Sequence, residues 1–228
     1  MMRGFFRVAW QVMRKDMTVE IRSREIVLTT LLFAVSVVLV FSFALVREGR
    51  APDDVAAGIL WVAISFAGTL AMGRTFERER YNDTLRALIL APADRPAVYV
   101  GKLLGLLLLL ALVEIILVPL VGLLFAAPIF AYPGTLAMLL IAGTLGFAAV
   151  GTLFAAMLVR VRSRDTMLPV LLYPITIPVM IGGVRGTAAL FQAAPDEPMA
   201  RFWIGLLVVW DVVFVTLALW TFEPVMTE

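Results

Sequence analysis

The sequence predicts an all-α membrane protein with six transmembrane helices, and two observations carry that prediction. Of its 228 residues 62% are hydrophobic and the mean hydropathy is +0.98, far above the roughly 45–50% apolar usage of soluble domains. The apolar residues also gather into six runs: Ile26 to Val46, Val55 to Gly73, Leu103 to Ala127, Thr135 to Val159, Met167 to Val184 and Phe202 to Phe222. Each approximates the about 20 helical residues that cross a hydrocarbon core about 30 Å thick. The connections leave no room for another folded domain, so residues 1–228 are expected to form one transmembrane unit.

Residues 1–25 precede the first run. At about 100° per residue Arg3, Arg7, Arg14, Lys15 and Arg22 share one arc of a helix, with Phe5, Val8, Ala9, Val12, Met13 and Val19 across from it. This pattern predicts an interfacial helix. Asp16 and Glu20 fall within the apolar arc, where lipid contact is unfavourable, so protein is expected to cover them. The segment is too charged and too poor in small residues for a secretory signal peptide, and no removal is expected.

The spans differ in their polar content. The first carries only Thr29, Thr30, Ser36 and Ser42 and is expected to face lipid on most sides. The second repeats Ala63, Ala67 and Ala71, the fourth places Gly143, Gly151 and Ala155 on one stripe beside Ala142 and Gly146, and Gly101 and Gly105 open the third. Small residues at such spacing let helices approach closely, and packing is the expected role. The fifth span holds Pro169, Pro174 and Pro178, each of which removes an amide and crowds the carbonyl four residues earlier. A bend or break is therefore expected there, facing the bundle interior. Tyr132, Trp203 and Trp220 near span ends fit an interfacial aromatic belt.

Glu114 and Asp211 lie near the middle of their spans, and a carboxylate at that depth is costly enough to be a functional candidate. No cation within the spans balances either one. They are expected to act as hydrogen-bonding groups. The chain has no Cys and no His, which removes disulfides, thiol nucleophiles, imidazole bases and the commonest metal ligands. No G-x-x-x-x-G-K-[ST] loop occurs either, so ATP hydrolysis is not expected of this chain.

Lys and Arg concentrate in the N-terminal segment, in the second-to-third connection (Arg74, Arg78, Arg80, Arg86, Arg95, Lys102) and in the fourth-to-fifth (Arg160, Arg162, Arg164). The opposite loops hold only Arg47, Arg50, Arg185 and Arg201. Because basic flanks resist translocation, both termini and the charged island over residues 74–102 are expected to be cytoplasmic. Within the island Asn82 or Asp83 caps a short helix that Pro92 ends, with Tyr81, Leu85, Leu88 and Ile89 on one face and Arg78, Asp83 and Arg86 on the other. An apolar ridge with charged margins suits a groove in a partner protein.

Glu77, Arg78 and Glu79, then Thr84 and Leu85, Leu88, Pro92, Gly101 and Lys102 resemble the ERE, TL, L, P and GK pattern in the second cytoplasmic segment of ABC-2 type exporter permeases. The resemblance implies that this segment is a coupling helix docking on a separate ATPase subunit, with two permeases forming a homodimer. Two further stretches, AAGILWVAISFAGTLAMGRTFERE and LPVLLYPITIPVMIGG, are similar to segments of the CcmB family, the haem exporter B subunits of cytochrome c maturation. One difference is Ala57, where members often carry Pro. This resemblance covers nearly the whole chain. It implies a multi-pass permease of the cell inner membrane working with an ATPase (CcmA-like) that binds ATP and Mg, a haem-handling subunit (CcmC-like), a small accessory subunit (CcmD-like) and a periplasmic haem chaperone (CcmE-like).

On that reading haem is cargo of the complex. With His and Cys absent, only Met and Tyr remain among the usual haem-iron ligands. Tyr173, Met180 and Tyr132 are the nearest such residues, and each is read as packing or belt, so no cofactor and no metal is expected on this chain. The intramembrane candidates are Glu114, Asp211, Tyr173, Pro174 and Pro178; no residue is expected to be catalytic, and no nucleic acid is expected as a partner. An ABC-2 permease for a lipid-linked glycan or a drug is the alternative. A membrane enzyme would need a nucleophile or metal constellation that two isolated carboxylates do not supply.

Overall fold

The computed structural model describes residues 2–45, 53–75, 95–159, 161 and 163–227. Among these residues the chain forms seven helices and no strand: α1 Met2–Ser23, α2 Glu25–Leu45, α3 Asp53–Thr75, α4 Arg95–Phe125, α5 Pro133–Met157, α6 Arg164–Phe191 and α7 Glu197–Thr227. The last six are long and apolar enough to span a bilayer, as the hydropathy pattern predicts.

Several helices outrun their apolar cores. α4 starts at Arg95, so Arg95 and Lys102 belong to the spanning helix and not to a loop. Pro96 sits in its first turn, where the missing N–H has no intrahelical partner to lose. Arg185 and Arg201, expected in loops, are exposed residues within α6 and α7. α7 begins after Asp196, whose Oδ1 accepts the N–H of Met199 at 3.0 Å and so satisfies one orphan donor of the first turn.

The three prolines of the fifth span do not break it. α6 is one helix from Arg164 to Phe191 with Pro169, Pro174 and Pro178 inside, and α4 likewise runs through Pro119. Each proline deletes a single bond, and in a bilayer no water competes for the remaining ones, so helix persists on both sides. Pro174 faces outward and Pro169 and Pro178 are half-buried, contrary to the expected interior position. The buried stripe of α6 is instead Leu168, Leu172, Thr176 and Val179, continuing through Gly182, Gly183 and Gly186.

α3 and α5 form the centre of the bundle, with 67% and 72% of their apolar stretches buried against 22% for α2 and 17% for α7. Lipid tails are as apolar as leucine, so close packing must hold the helices together. Ala63, Ala67 and Ala71 of α3 are fully buried, as their spacing predicts. The largest fully buried side chain, Trp61 of α3, lies in a slot cut by two glycines. A Cβ at Gly183 of α6 would stand 2.5 Å from its Cε2, and one at Gly143 of α5 would overlap the far edge of the indole. The Nε1–H of Trp61 donates to Thr187 Oγ1 at 2.9 Å, which fixes the ring in the slot. One residue thereby ties three helices.

Candidate functional site

The coupling residues expected from sequence, Glu77, Arg78, Glu79, Tyr81, Asp83, Leu85, Arg86, Leu88 and Ile89, lie outside the described residues. What the structure gives is the two stems on which that segment is carried, the end of α3 and the start of α4. Arg74 in the last turn of α3 pairs with Glu25, the first residue of α2, with Nη1 to Oε1 at 2.6 Å. Both side chains are exposed, and such a pair contributes about 0–1 kcal/mol.

The second stem is held differently. α1 packs across the start of α4 with Ala9, Val12, Met13 and Glu20 buried, so the apolar arc of the N-terminal segment faces protein. Its acidic residues are covered, as expected. Lys102 is 1% exposed and its Nζ lies 2.8 Å from Asp16 Oδ2. Asp16, whose side chain is 19% exposed, also has Lys15 Nζ 3.3 Å from its Oδ1, so it lies between two cations. The neighbouring Gly101 is what allows the approach. A Cβ there would stand 2.6 Å from the carbonyl oxygen of Ala9 and 2.7 Å from Val12 Cβ. The Gly-Lys step of the exporter pattern is thus the socket for α1.

The outer surface of α1 divides in two. Phe6, Trp10 and Ile21 form an apolar edge, 64%, 59% and 71% exposed, and the exposed Arg7 and Arg14 lie next to it on the turn of the helix. A helix covered by protein on one side, apolar on the next and basic on the third is built for the corner where bundle, lipid and headgroups meet.

At the middle of the bundle the two carboxylates reach the same helix from different neighbours. Glu114 of α4 is buried and accepts a hydrogen bond from Thr144 Oγ1 of α5. Asp211 of α7 is buried against Gly146 of α5, where a Cβ would stand 2.6 Å from its Oδ1 and 3.2 Å from Val179. Thr144 and Gly146 lie about 200° apart around α5 at about 100° per residue. The carboxylates therefore do not share a site. Trp210, beside Asp211, stacks on Phe214 with ring centroids 4.3 Å apart.

Tyr173 sits apart from both. Its hydroxyl lies 3.3 Å from Thr69 Oγ1, and its ring meets Phe66 edge-on at 6.2 Å, which in turn meets Phe33 at 5.9 Å. This is an aromatic seam joining α6, α3 and α2. Pro174 points away from it, and Pro178 is half-buried one turn on. The candidates named from sequence do not converge on a pocket. Tyr99, by contrast, was not singled out by its sequence context. It is fully buried in α4, donates to the carbonyl of Ala149 in α5 at 2.9 Å and packs on Phe222 of α7. Its position in an island of charged residues concealed it.

At the opposite end of the bundle Glu197 accepts from Thr135 Oγ1 at 2.9 Å and from Arg201 at 2.9 Å, joining the starts of α5 and α7. Among the described residues no group of three carboxylate, imidazole or thiol side chains is placed to hold a metal ion.

Comparison with known proteins places this architecture. Heme exporter protein B of Paracoccus denitrificans is 31% identical over 169 residues, 74% of this chain and 76% of its own length. The proteins of the same name in Bradyrhizobium diazoefficiens and Haemophilus influenzae are 27% identical over 179 residues and 25% identical over 171. These cover 78% and 75% of this chain and 80% and 77% of the relatives. The profile of the CcmB protein family matches residues 7–226, from the first turns of α1 into the last turn of α7. The six-span bundle, the seated amphipathic helix and the connecting stems all fall within that match, and the chain belongs to the CcmB protein family.

Proposed function

We propose that this chain is the membrane permease subunit of an ATP-driven haem exporter complex acting in cytochrome c maturation. The observation that carries the reading is the family match over residues 7–226, together with relatives named heme exporter protein B. Energy comes from a separate ATPase, because the sequence has no phosphate-binding loop of its own. Residues 74–102 are the cytoplasmic coupling segment, with Leu85, Leu88 and Ile89 as its apolar docking ridge and Glu77, Arg78, Glu79, Tyr81, Asp83 and Arg86 around it. The distribution of Lys and Arg supports an inner-membrane orientation with both termini and this segment cytoplasmic. Two copies of the permease over two ATPases, with a haem-handling membrane subunit, a small accessory subunit and a periplasmic haem chaperone, complete the assembly.

Leu88→Asp tests the docking role. It sets an unpaired charge into an apolar contact, a change of several kcal/mol, about 3–5, if the surface is desolvated. Copurification of the ATPase is expected to fall at least tenfold while membrane insertion is unchanged. Undiminished ATPase recovery with normal cytochrome c assembly rejects the reading.

Haem, as cargo, meets no strong iron ligand here, since the chain has neither His nor Cys and Tyr173 is engaged with Thr69 and Phe66. Another subunit ligates the iron, and this one supplies apolar walls and the moving gate. The purified chain is expected to hold no stoichiometric haem with a sharp ligand-field spectrum. Tight one-to-one haem lost on changing Tyr173 or Met180 makes this chain the carrier instead.

A further inference from the structure

We propose that Arg185 binds the carboxylates of haem, whose ring lies on the outward face of α6 and whose iron takes no ligand from this chain. The inference rests on haem being the cargo, as proposed above, and adds which part of that molecule this chain recognises.

Three features point to it. The first is an unbalanced cation. Arg74, Lys102 and Arg201 of the spanning helices pair with Glu25, Asp16 and Glu197 at 2.6, 2.8 and 2.9 Å. Arg185 of α6 is exposed and meets no carboxylate among the described residues. It stands about 9 Å along the axis before the end of α6 at Phe191. A cation at that depth either reaches for the surface or binds an anion.

The second is the surface below it. Val170, Pro174, Ile177, Ile181 and Arg185 are all exposed and share an arc of about 80° at about 100° per residue. Ile177 and Ile181 extend this apolar floor about 12 Å from the position of Arg185. Pro174 and Pro178 supply no N–H to the carbonyls of Val170 and Pro174, and carbonyls without donors are poor neighbours for acyl chains.

The third is an aromatic wall. Gly182 and Gly186 flank Arg185 without side chains, and Trp203 of α7 lies against both: a Cβ at Gly186 would stand 3.2 Å from Trp203 Cβ and one at Gly182 3.7 Å from its Cε3. Phe202 meets the ring of Trp203 edge-on at 5.6 Å. A floor, a wall and a cation at one end match a flat apolar ring with two carboxylates on one edge, which the guanidinium fork holds in pairs of hydrogen bonds. A phospholipid, with one phosphate and flexible chains, gains nothing from the flat wall. Because the chain has neither His nor Cys, recognition through the carboxylates leaves the iron to a ligand on another subunit.

The full-length chain, which has no native cysteine, is given Ile181→Cys, labelled with a fluorophore and placed in phosphatidylcholine nanodiscs. Val213→Cys, on the exposed side of α7, is the control for porphyrin dissolved in lipid. Metal-free protoporphyrin IX is expected to quench the label at 181 saturably, and the label at 213 only in proportion to its concentration. Arg185→Met is expected to weaken the saturable quench about tenfold or more, Arg185→Lys to weaken it less, and the dimethyl ester of the porphyrin to show none. Haem itself is expected to bind like the metal-free ring. Equal saturable quench in the parent and Arg185→Met, or with acid and ester, overturns the proposal and leaves Arg185 to a lipid phosphate. A preference of about tenfold for haem over the metal-free ring also overturns it, since an iron ligand is then at work. This binding is measured without an ATPase, whereas the exporter reading is judged by ATPase recovery and cytochrome c assembly with Leu88→Asp, so either fails without the other.

Discussion

Trp61→Ala is expected to give a chain that inserts but does not hold its tertiary packing. The indole fills the slot between Gly143 and Gly183 and donates to Thr187, so its removal empties a cavity that the rigid backbones of three helices cannot close. Truncating a buried aromatic of this size costs about 3–5 kcal/mol, a large share of the stability of most folded chains. The converse change, Gly143→Val, drives methyl groups into the indole and is expected to be equally damaging, because overpacking at a helix crossing has only backbone shifts to relieve it. Thr187→Val removes one hydrogen bond and is expected to cost about 1 kcal/mol. Thermal stability of the detergent-purified chains by size exclusion orders the three. A Trp61→Ala chain as stable as Thr187→Val shows that the slot is not the centre of packing.

The intramembrane carboxylates are expected to separate by chemistry and by space. Glutamine at 114 still accepts from Thr144, and asparagine at 211 keeps the shape of aspartate against Gly146, so both substitutions are expected to support cytochrome c assembly. Leucine at either position is not. The magnitudes distinguish the causes. A hydrogen bond between spanning helices contributes on average about 0.6 kcal/mol, too little for Glu114→Leu to unfold the bundle, so its loss of assembly is expected with near-parental stability. Asp211→Leu meets the surface of α5 where Gly146 leaves no excess room, and adds overpacking of about 1–3 kcal/mol. Assembly and thermal stability are measured on the same four chains. Full cytochrome maturation by both leucine variants reduces the two residues to packing.

The outcome at individual residues shows what kind of information the linear pattern holds. Asp16 and Glu20 were recognisable as residues needing cover because they interrupt an apolar arc, and Gly101 and Lys102 stood out through the exporter pattern. Their union was not readable. It depends on α1 folding back across α4, a contact between residues far apart in the chain, and Lys102 reads as one more loop cation until Asp16 is opposite it. The prolines misled in the opposite direction. Each one's local effect is real, but one deleted bond among many does not end a helix in a medium where the remaining bonds have no competitor, and α6 continues through all three. Tyr99 and Thr144 gave no local signal, since a buried hydroxyl is identified by the carbonyl or carboxylate it meets on another helix.

By itself the sequence determined that this is a six-span helical membrane protein with an amphipathic first helix, and it determined the family. Those properties follow from local composition, because the bilayer requires each span to be apolar and to satisfy its own backbone, and from motifs that are contiguous. Tertiary structure alone decided which helices are interior, where Trp61 lies, that Glu114 and Asp211 reach α5 from separate neighbours, and that Arg74 pairs with Glu25 of α2 and Lys102 with Asp16 of α1. In a chain this uniformly apolar every span looks alike to a hydropathy pattern. Only the matching of small residues to large ones across helices, and of one buried charge to another, selects a single arrangement.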